Sequence, residues 1–339
     1  MLQLTFQPFT LQLLHPFTIA SNTRTSTPIV LTAISYQGFI GYGEASMPPY
    51  LGESQESVQR FLSKVDLKKF DSPFQLEEIL AYVDEMEAGN TAAKASIDIA
   101  LHDLIGKLLN QPWHKVIEAN ALTMPATSLT IGIDSLPVIQ QKVKEAAEFS
   151  ILKVKLGNVN DREIINSIRE ISNQAICVDV NQGWTDKHFA LEMLHWLKEK
   201  NVLFVEQAMA KEKLEEAYWL YERSPLPLVA DEAVQRFHDI EKLAGAYHGI
   251  NIKLMKCTGM REAYNMIQQA RKLKLKVLIG CMNESSCANM AAAQLAPLAD
   301  WVDLDGPFMI RNNPFESPVL KDGKIVLSDL PGICVQLRN

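Results

Sequence analysis

Charged residues end six of the short apolar runs in the second half of this sequence, and their types could support catalysis. Three consecutive runs end in carboxylates, at Asp179, Glu206 and Asp231. The runs on either side of this group end in lysines, at Lys155 and Lys253. One such charge alone is typical of a solvated strand end or a helix N-cap. The acidic ends occur together on consecutive runs and the lysine ends lie on either side of them. This separation by sign favours one shared site.

The three carboxylates predict a metal site. On neighbouring strands, Asp179, Glu206 and Asp231 would repel one another strongly without a cation between them. Oxygen ligands suit Mg2+, with Mn2+ as the alternative, and the lack of a nearby His or Cys disfavours zinc. We therefore expect one Mg2+ at this position.

Lys155 and Lys253 are the candidate acid–base catalysts. We expect the metal, and Lys153 on the same run as Lys155, to lower the pKa of both lysines toward the working pH. Loss of the α-proton from a metal-bound carboxylate gives an enediolate, which the cation stabilises. Lysines on opposite faces of this planar species would invert the carbon by a 1,1-proton transfer. Lys256, three residues beyond Lys253, is expected to be solvated or salt-bridged.

Eight short β-branched runs recur from about Ala126 onward, at intervals of about 25 residues. They are SLTIGID, ILKVKL, ICVDVN, VLFVE, PLVAD, GINIKL, KVLIG and DWVDLD. Amphipathic stretches such as Asp161–Ile171 and His188–Lys200 separate them and predict helices. The repeat favours a (β/α)8-type barrel, whose active site lies at the carboxyl ends of its strands. A doubly wound open sheet is the alternative.

The first part of the chain has a different pattern. LTFQPFTLQL, PIVLTAISY and FIGYGEA alternate apolar and polar residues and predict a small antiparallel sheet. Helical spacing follows, with one helix over Thr91–Leu109. Near the carboxyl end, Asp322-Gly323 predicts a hairpin turn in a tail that returns to the N-terminal sheet. We therefore predict an α+β capping domain over residues 1–125, a barrel over 126–317 and the tail over 318–339.

Composition argues against several classes of protein. The net charge of −7 disfavours nucleic acid or an anionic membrane surface as the partner. No apolar run approaches the roughly 18 residues of a membrane span, and the N-terminus lacks the basic segment of a secretion signal. The five cysteines are widely spaced without a CxxC pair, which predicts reduced thiols. We expect a cytoplasmic enzyme with a small-molecule substrate, and whether it forms a homo-oligomer stays open.

Several motifs resemble those of the enolase superfamily, in its muconate-lactonizing-enzyme-like branch. GYGEASMPPYLGE and AAKASIDIALHDLIGK resemble its capping domain, and KVKLG, VDVNQGW, VEQ, ADEA and NIKLMKCTG resemble its barrel motifs in their usual order. Thr258 departs from the pattern, because a second glycine is common there. The resemblance implies a (β/α)7β TIM-like barrel with an α+β capping domain and a Mg2+-dependent pair of lysine bases. It also places Asn181 and Glu232 beside the metal ligands.

The last barrel run indicates a substrate within this branch. Asp303-Leu304-Asp305 resembles the DxD of dipeptide epimerases, in which the two acids hold the ammonium group of the dipeptide. Arg24, in a loop expected to cover the barrel mouth, resembles the arginine that pairs with the glutamate γ-carboxylate in Ala-Glu epimerases. The same resemblance assigns substrate contacts to Thr130, Lys153, Cys281 and Asn283.

These features predict a dipeptide epimerase that inverts the α-carbon of the C-terminal residue, with L-Ala-D/L-Glu from murein as the expected substrate. Another enzyme of the branch, an o-succinylbenzoate synthase or a muconate-type cycloisomerase, is the nearest alternative. A non-catalytic binding barrel is more remote, because it would not need the full set of lysines and carboxylates.

Overall fold

A computed structural model describes residues 1–19, 22–47 and 49–338 of the chain. The N-terminal strands β1 (Gln3–Ile19), β2 (Asn22–Tyr36) and β3 (Phe39–Ser46) form an antiparallel sheet in chain order, as predicted. The β1–β2 pair is longer than the sequence pattern indicated. Its register shifts between Gln12 and Phe17, and the pairing then continues to Ile19 and Asn22. This extension carries Arg24 on a strand, where a loop was predicted.

Four helices follow and cover the sheet: α1 (Gln55–Leu62), α2 (Leu76–Glu85), α3 (Thr91–Leu108) and α4 (Trp113–Val116). Helix α3 confirms the helix predicted over Thr91–Leu109 and is buried along most of its length. It packs directly on strand β3, where a Cβ atom on Gly43 would lie 1.9 Å from the carbonyl oxygen of Ser96. Only glycine permits this close approach of helix and strand.

Eight parallel strands form the barrel in chain order, and the open-sheet alternative is wrong. A bridge between Thr127 and Val302 joins the two ends of the sheet. The strands are β4 (Ser128–Ile131), β5 (Ile151–Lys155), β6 (Ala175–Asp179), β7 (Val202–Glu206), β8 (Leu228–Ala230), β9 (Gly249–Ile252), β10 (Lys276–Gly280) and β11 (Trp301–Asp303).

Seven helices alternate with these strands, which gives the predicted (β/α)7β order. They are α5 (Leu136–Glu145), α6 (Asp161–Arg169), α7 (Lys187–Lys198), α8 (Leu214–Tyr221), α9 (Ile240–Leu243), α10 (Met260–Lys272) and α11 (Ser286–Ala293). The described part of the chain contains no helix of the length and apolarity that a bilayer crossing requires.

Buried carboxylates of the N-terminal region cap two barrel helices. Asp98 of α3 accepts hydrogen bonds from the backbone N–H groups of Met260 and Arg261 at the start of α10. Glu44 of β3 accepts one from the N–H of Ser285, 2.9 Å away, just before α11. A carboxylate at a helix N-terminus satisfies unpaired N–H groups and complements the helix dipole. The capping region therefore helps to position the two loops that follow β9 and β10.

The C-terminal segment forms a two-stranded hairpin, β12 (Leu320–Lys321) and β13 (Lys324–Ile325), around the predicted turn. Asp322 and Gly323 both have positive φ, as a two-residue hairpin requires. The chain then contacts the capping helices: Gly332 pairs with Pro112, and the N–H of Ile333 donates to Asp103 of α3. The tail adds no strand to the N-terminal sheet in the described residues, but Leu337 lies beside Phe6 of β1 and Leu31 of β2.

Candidate active site

The predicted metal ligands meet at the carboxyl ends of three adjacent barrel strands. Asp179 ends β6, Glu206 ends β7, and Asp231 directly follows β8; Asp179 and Glu206 are paired in register. One oxygen from each carboxylate lies within 4.8 Å of the others, and all three side chains are buried. Oxygen ligands about 2 Å from a Mg2+ ion are spaced about 3–4 Å apart in octahedral geometry. The donor set and its spacing therefore fit one such ion.

The two predicted catalytic lysines flank this cluster from opposite sides. Lys155 ends β5, and its Nζ lies 2.7 Å from Asp179 Oδ2. Lys253 directly follows β9, and its Nζ lies 2.7 Å from Asp231 Oδ2. Strands β5 and β9 are four positions apart in a closed sheet of eight, so they lie across the barrel from each other. A substrate carbon above the carboxylate cluster would have one lysine on each side.

The nearest charged neighbour of Lys253 is the Asp231 carboxylate. Burial lowers its pKa, but the nearby Asp231 carboxylate outweighs burial and raises the pKa well above the ordinary lysine value. The sequence argument considered only positive neighbours. In the structure a carboxylate is the nearest charged partner of Lys253. A divalent cation on the same carboxylates would compete with the ammonium group for their charge.

Lys153 lies at the centre of the carboxylates. Its Nζ is 2.7 Å from Asp303 Oδ2, 2.8 Å from Glu206 Oε2 and 3.1 Å from Asp179 Oδ2. Burial lowers the pKa of Lys153, yet these carboxylates, Asp303 first, raise it well above its usual range. Lys153 therefore stays positively charged and links the metal ligands to the DxD segment.

The carboxylates themselves titrate unequally. Burial raises the pKa of Asp179, but Lys155 and Lys153 outweigh it and bring the pKa to about 2. Burial and the charge of Asp179 together raise the pKa of Glu206 to about 7. Burial and the charge of Asp231 likewise raise the pKa of Glu232 to about 7. Repulsion among these buried carboxylates opposes their ionisation, and a bound cation would relieve it.

Three further side chains hold the cluster, and the sequence argument had assigned none of them to the metal site. Lys256 is 1% exposed, and its Nζ lies 2.6 Å from Asp231 Oδ1, so it is salt-bridged and not solvated. Asn251 donates from Nδ2 to Glu206 Oε1 at 2.7 Å. Gln207 accepts at Oε1 from the N–H of Asp231 at 2.9 Å. The period of two along β9 places Asn251 and Lys253 on the same face and could have revealed Asn251.

The backbone around the cluster is strained at several non-glycine residues. Asn181 has φ 46°, Gln182 φ 69° and Gln207 φ 38°. Asn181 also donates from its backbone N–H to Asp179 Oδ1 at 3.0 Å and from Nδ2 to Glu232 Oε1 at 3.3 Å. Left-handed backbone at such residues is uncommon and concentrates at functional sites.

Asp303 and Asp305 lie at the other end of the cavity. Asp303 accepts from Ser128 Oγ at 2.8 Å and pairs with Lys153. Asp305 accepts from the backbone N–H of Thr130 at 2.7 Å, and the Cys281 thiol lies 3.8 Å from its other oxygen. Burial and the charge of Asp303 raise the pKa of Asp305 to about 6. No cationic side chain among the described residues forms an ion pair with Asp305, so its carboxylate suits a cationic ligand group.

One cavity joins these elements at the barrel mouth. Asp179 and Glu206 lie beneath it, and both are fully buried. The other predicted site residues line it: Arg24, Thr130, Lys153, Lys155, Asn181, Asp231, Glu232, Lys253, Cys281, Asn283, Asp303 and Asp305.

Residues of the capping region complete the wall of this cavity. Arg24 is half-buried there, and burial lowers the pKa of its guanidinium. The Tyr50 hydroxyl donates to Met282 Sδ at 3.3 Å, although the tyrosine ring is largely exposed. Tyr50, Gln182, Met282 and Met309 also line the cavity. The N-terminal region therefore covers one side of the site.

Comparison with known proteins agrees with this arrangement. Residues 5–117 match the mandelate racemase / muconate lactonizing enzyme N-terminal domain, and residues 138–339 match the enolase C-terminal domain-like family. An L-Ala-D/L-Glu epimerase from Bacteroides thetaiotaomicron is 54% identical over 98% of this chain and 88% of its own length. An L-Ala-D/L-amino acid epimerase from Pedosphaera parvula is 36% identical over 97% of each chain.

A solved structure matches in three dimensions as well. The crystal structure of a dipeptide epimerase from Enterococcus faecalis, complexed with Mg and the dipeptide L-Leu-L-Tyr, superposes with a TM-score of 0.91. It is 28% identical in sequence and covers 98% of both chains. The two domain matches together span most of the sequence. The chain therefore belongs to the mandelate racemase / muconate lactonizing enzyme family of the enolase superfamily.

Proposed function

We propose that the protein is a dipeptide epimerase that inverts the α-carbon of the C-terminal residue, with L-Ala-D/L-Glu as its preferred substrate. The observation that carries the proposal is the position of Lys155 and Lys253 on opposite strands, each 2.7 Å from a carboxylate of the same cluster. The relatives described above, which are named as epimerases of L-Ala dipeptides, support it.

Asp179, Glu206 and Asp231 would hold Mg2+, the metal in the Enterococcus faecalis complex, and the same oxygens would accept Mn2+. When bound, the ion draws negative charge from the substrate carboxylate and so makes the neighbouring α-hydrogen more acidic. A lysine side chain can then remove this proton near neutral pH.

The two lysines divide the proton transfer. One lysine in its neutral form removes the α-proton from its own side, and the other, protonated, delivers a proton to the opposite side. For the other epimer the roles reverse. Because one lysine gains a proton from one face of the substrate and the other gives a proton to the opposite face, the total charge of the two lysines is unchanged.

The remaining groups orient the dipeptide. Asp303 and Asp305 would bind its free ammonium, because Asp305 has no cationic partner among the described side chains. Arg24 would pair with the γ-carboxylate of a C-terminal glutamate, for which a planar guanidinium is suited. Thr130, Cys281 and Asn283 form the walls between these ends.

We also place the enzyme in the cytoplasm, where its five buried thiols remain reduced.

Exchange in D2O tests the proposal. The protein is incubated with Mg2+ and L-Ala-L-Glu, and deuterium at each α-carbon is followed by NMR. We expect deuterium at the glutamate α-carbon together with formation of L-Ala-D-Glu, and none at the alanine α-carbon. N-acetyl-L-Ala-L-Glu, which lacks the ammonium, serves as the matched substrate and should react far more slowly. Equal turnover of the two compounds would favour another enzyme of the branch, and no exchange with any dipeptide would refute the proposal.

A further inference from the structure

Arg236 links the capping region to the barrel loop that begins at Lys253, although it lines neither the substrate cavity nor the metal site. We name residues 253–259, which follow β9, the β9 loop. Arg236 Nη2 lies 3.0 Å from Asp84 Oδ2 on α2 and 2.5 Å from Glu262 Oε2 on α10. Arg236 Nε also donates to Glu262 Oε1 at 2.7 Å. A planar guanidinium held by two carboxylates fixes the orientation of both as well as their distance.

The contacts of Arg236 continue into both parts of the protein. On the capping side, Asp84 also pairs with Lys94 of α3 at 3.0 Å, and the Lys94 side chain is 3% exposed. On the barrel side, Glu262 Oε2 accepts from the hydroxyl of Thr258 at 3.3 Å. Thr258 has φ 65°, and a strained conformation of this kind persists only where the surrounding structure holds it. Arg236 therefore acts through Glu262 on the strained end of the β9 loop.

The β9 loop connects this strained end to Lys253. The carbonyl of Lys253 accepts from the N–H of Lys256 at 2.9 Å, which joins the catalytic lysine to the turn behind it. Ser46 of β3 donates from its N–H to Met255 Sδ at 3.3 Å, and Asp98 of α3 caps the helix that follows the loop. Because the loop is short and internally hydrogen-bonded, a shift at its far end would move Lys253 as well.

The segment that follows the other catalytic lysine, Lys155, is held differently. The N–H of Leu156 donates to the carbonyl of Asp179 at 2.9 Å, and the N–H of Gly157 donates to Asp161 Oδ1 at 2.9 Å. In the described part of the chain, the hydrogen bonds of residues 155–161 reach only other barrel residues. The capping region is therefore connected by hydrogen bonds to one catalytic lysine and not to the other.

We infer that Arg236 is a positioning residue for Lys253, through which the capping region sets the distance between this lysine and the α-carbon of the substrate. The inference rests on the proposed dipeptide epimerase function and deepens it. Proton transfer at the face of Lys253 then depends on the contacts of Arg236, whereas transfer at the face of Lys155 does not. A misplacement of about 1 Å can cost about 100-fold in rate, so a small shift of the loop is measurable.

The test measures proton exchange at each face separately. The equilibrium constant fixes the ratio of kcat/KM for the two directions of epimerisation, so epimerisation itself cannot separate the faces. Exchange without inversion has no such constraint: in Lys155→Ala only Lys253 remains to exchange the α-proton, and in Lys253→Ala only Lys155 remains. Adding Arg236→Gln should slow α-deuterium exchange about tenfold or more in Lys155→Ala, mainly through kcat, and change it by less than about twofold in Lys253→Ala.

Two further variants accompany Arg236→Gln. Arg162→Gln is the matched control, because Arg162 Nη2 also lies 2.5 Å from a carboxylate, Glu192 Oε1, but joins two barrel helices at the surface. It should change exchange in neither background. Arg236→Lys keeps the positive charge without the planar fork, and should give a smaller loss that is again confined to Lys155→Ala. This variant also serves as the test if Arg236→Gln does not fold, which circular dichroism and urea unfolding would show.

The outcomes separate the inference from the proposed function. Equal losses in the two lysine backgrounds would mean that Arg236 acts on the whole site, and no loss in either would mean that it does not act on Lys253. Either result overturns the inference and leaves the epimerase function standing. Absence of exchange by the unmodified protein with every dipeptide overturns both.

Discussion

Lys256 and Asp231 form a buried ion pair directly beneath the candidate metal site. Lys256 Nζ lies 2.6 Å from Asp231 Oδ1 and also donates to the backbone carbonyls of Asp231 and Asn251 at 2.8 and 3.0 Å. Lys253 Nζ is 2.7 Å from the other oxygen, Asp231 Oδ2. Each oxygen of this carboxylate therefore faces one lysine. Lys256 lies outside the substrate cavity, and although burial lowers its pKa, its contacts are those of a counter-charge to Asp231 and not of a catalyst.

Loss of this counter-charge should destabilise the protein strongly. Lys256→Met leaves Asp231 with one cation fewer in a buried position, and breaking a buried pair costs about 3–5 kcal/mol. Lys242→Met is the matched control, because Lys242 Nζ is also 2.6 Å from a carboxylate, Asp239 Oδ1, but is 56% exposed. An exposed pair of this kind contributes about 0–1 kcal/mol. Urea unfolding of both variants in EDTA measures the difference, and equal losses would contradict the assigned role.

The two catalytic lysines should be separable by stereochemistry. Lys155→Ala and Lys253→Ala should each reduce epimerisation by about 100-fold to 10,000-fold, since each removes one acid–base group. Each variant should still exchange the α-proton of the one epimer whose hydrogen faces the lysine that is left. NMR in D2O, starting from L-Ala-L-Glu and L-Ala-D-Glu separately, distinguishes the two variants. Lys115→Ala, which removes an exposed lysine that pairs with Asp329 and does not line the active-site cavity, is the control. Loss of exchange with the same epimer in both variants would contradict the opposed arrangement.

Much of the site could be predicted because strand ends in a parallel barrel meet at one face. The period of two placed Lys153 and Lys155 on the same side of β5, and three consecutive acidic strand ends implied a shared cation. The strand-end argument did not identify Lys256, because this residue follows β9 in a turn in which its N–H donates to the carbonyl of Lys253. No periodic pattern describes the path of such a turn.

Two other differences have local physical causes. Arg24 lies on β2 because the hairpin continues beyond a register shift, which the apolar alternation did not indicate. Thr258, where glycine is common in the family, has φ 65°, a conformation that is costly for a β-branched residue. Its hydroxyl donates to Glu262 Oε2 at 3.3 Å. The structure shows that Thr258 adopts a left-handed conformation that favours glycine.

Binding of the dipeptide should weaken in acid through Asp305. Its pKa is raised to about 6 by burial and by Asp303, so its carboxyl group is neutral below that pH and charged above it. Attraction for an ammonium group is therefore present above about pH 6 and lost below it. We expect kcat/KM for L-Ala-L-Glu to fall as pH drops from 7 to 5, because kcat/KM reports ionisations of the free enzyme.

Other carboxyl groups in the site titrate near pH 7. The contribution of Asp305 is therefore isolated by comparing the unmodified protein with a variant that lacks the Asp305 charge. Asp305→Asn keeps the size of the side chain and an oxygen that can accept from Thr130. The ratio of kcat/KM between the unmodified protein and this variant should be large at pH 7 and shrink toward pH 5. A ratio that stays constant over this range would show that the Asp305 charge does not bind the substrate.

Asp98 links the capping region to the barrel and carries a second pH dependence. It caps the start of α10 and pairs with His102, whose Nδ1 lies 3.2 Å from Asp98 Oδ1. Burial lowers the pKa of His102, but the Asp98 carboxylate outweighs burial and raises it above the usual histidine value. A group with a raised pKa stabilises the fold fully below its unfolded value, about 6.5, and loses that contribution as pH rises through the folded value.

Asp98→Asn should therefore be most destabilising in acid. We expect the free energy of unfolding to fall by about 1–3 kcal/mol at pH 5.5, since a hydrogen-bonded charge is lost from a buried position. The deficit should shrink as pH rises toward 8.5, where His102 is increasingly neutral in the unmodified protein as well. Urea unfolding at pH 5.5, 7 and 8.5 in EDTA measures it. Asp66→Asn, at an exposed cap that accepts from the N–H of Lys68 at 3.1 Å, should show a small deficit that is the same at each pH. If the loss in free energy of unfolding caused by Asp98→Asn did not change with pH, the ion pair with His102 would not contribute to stability. Asp98 would then act only as a helix cap.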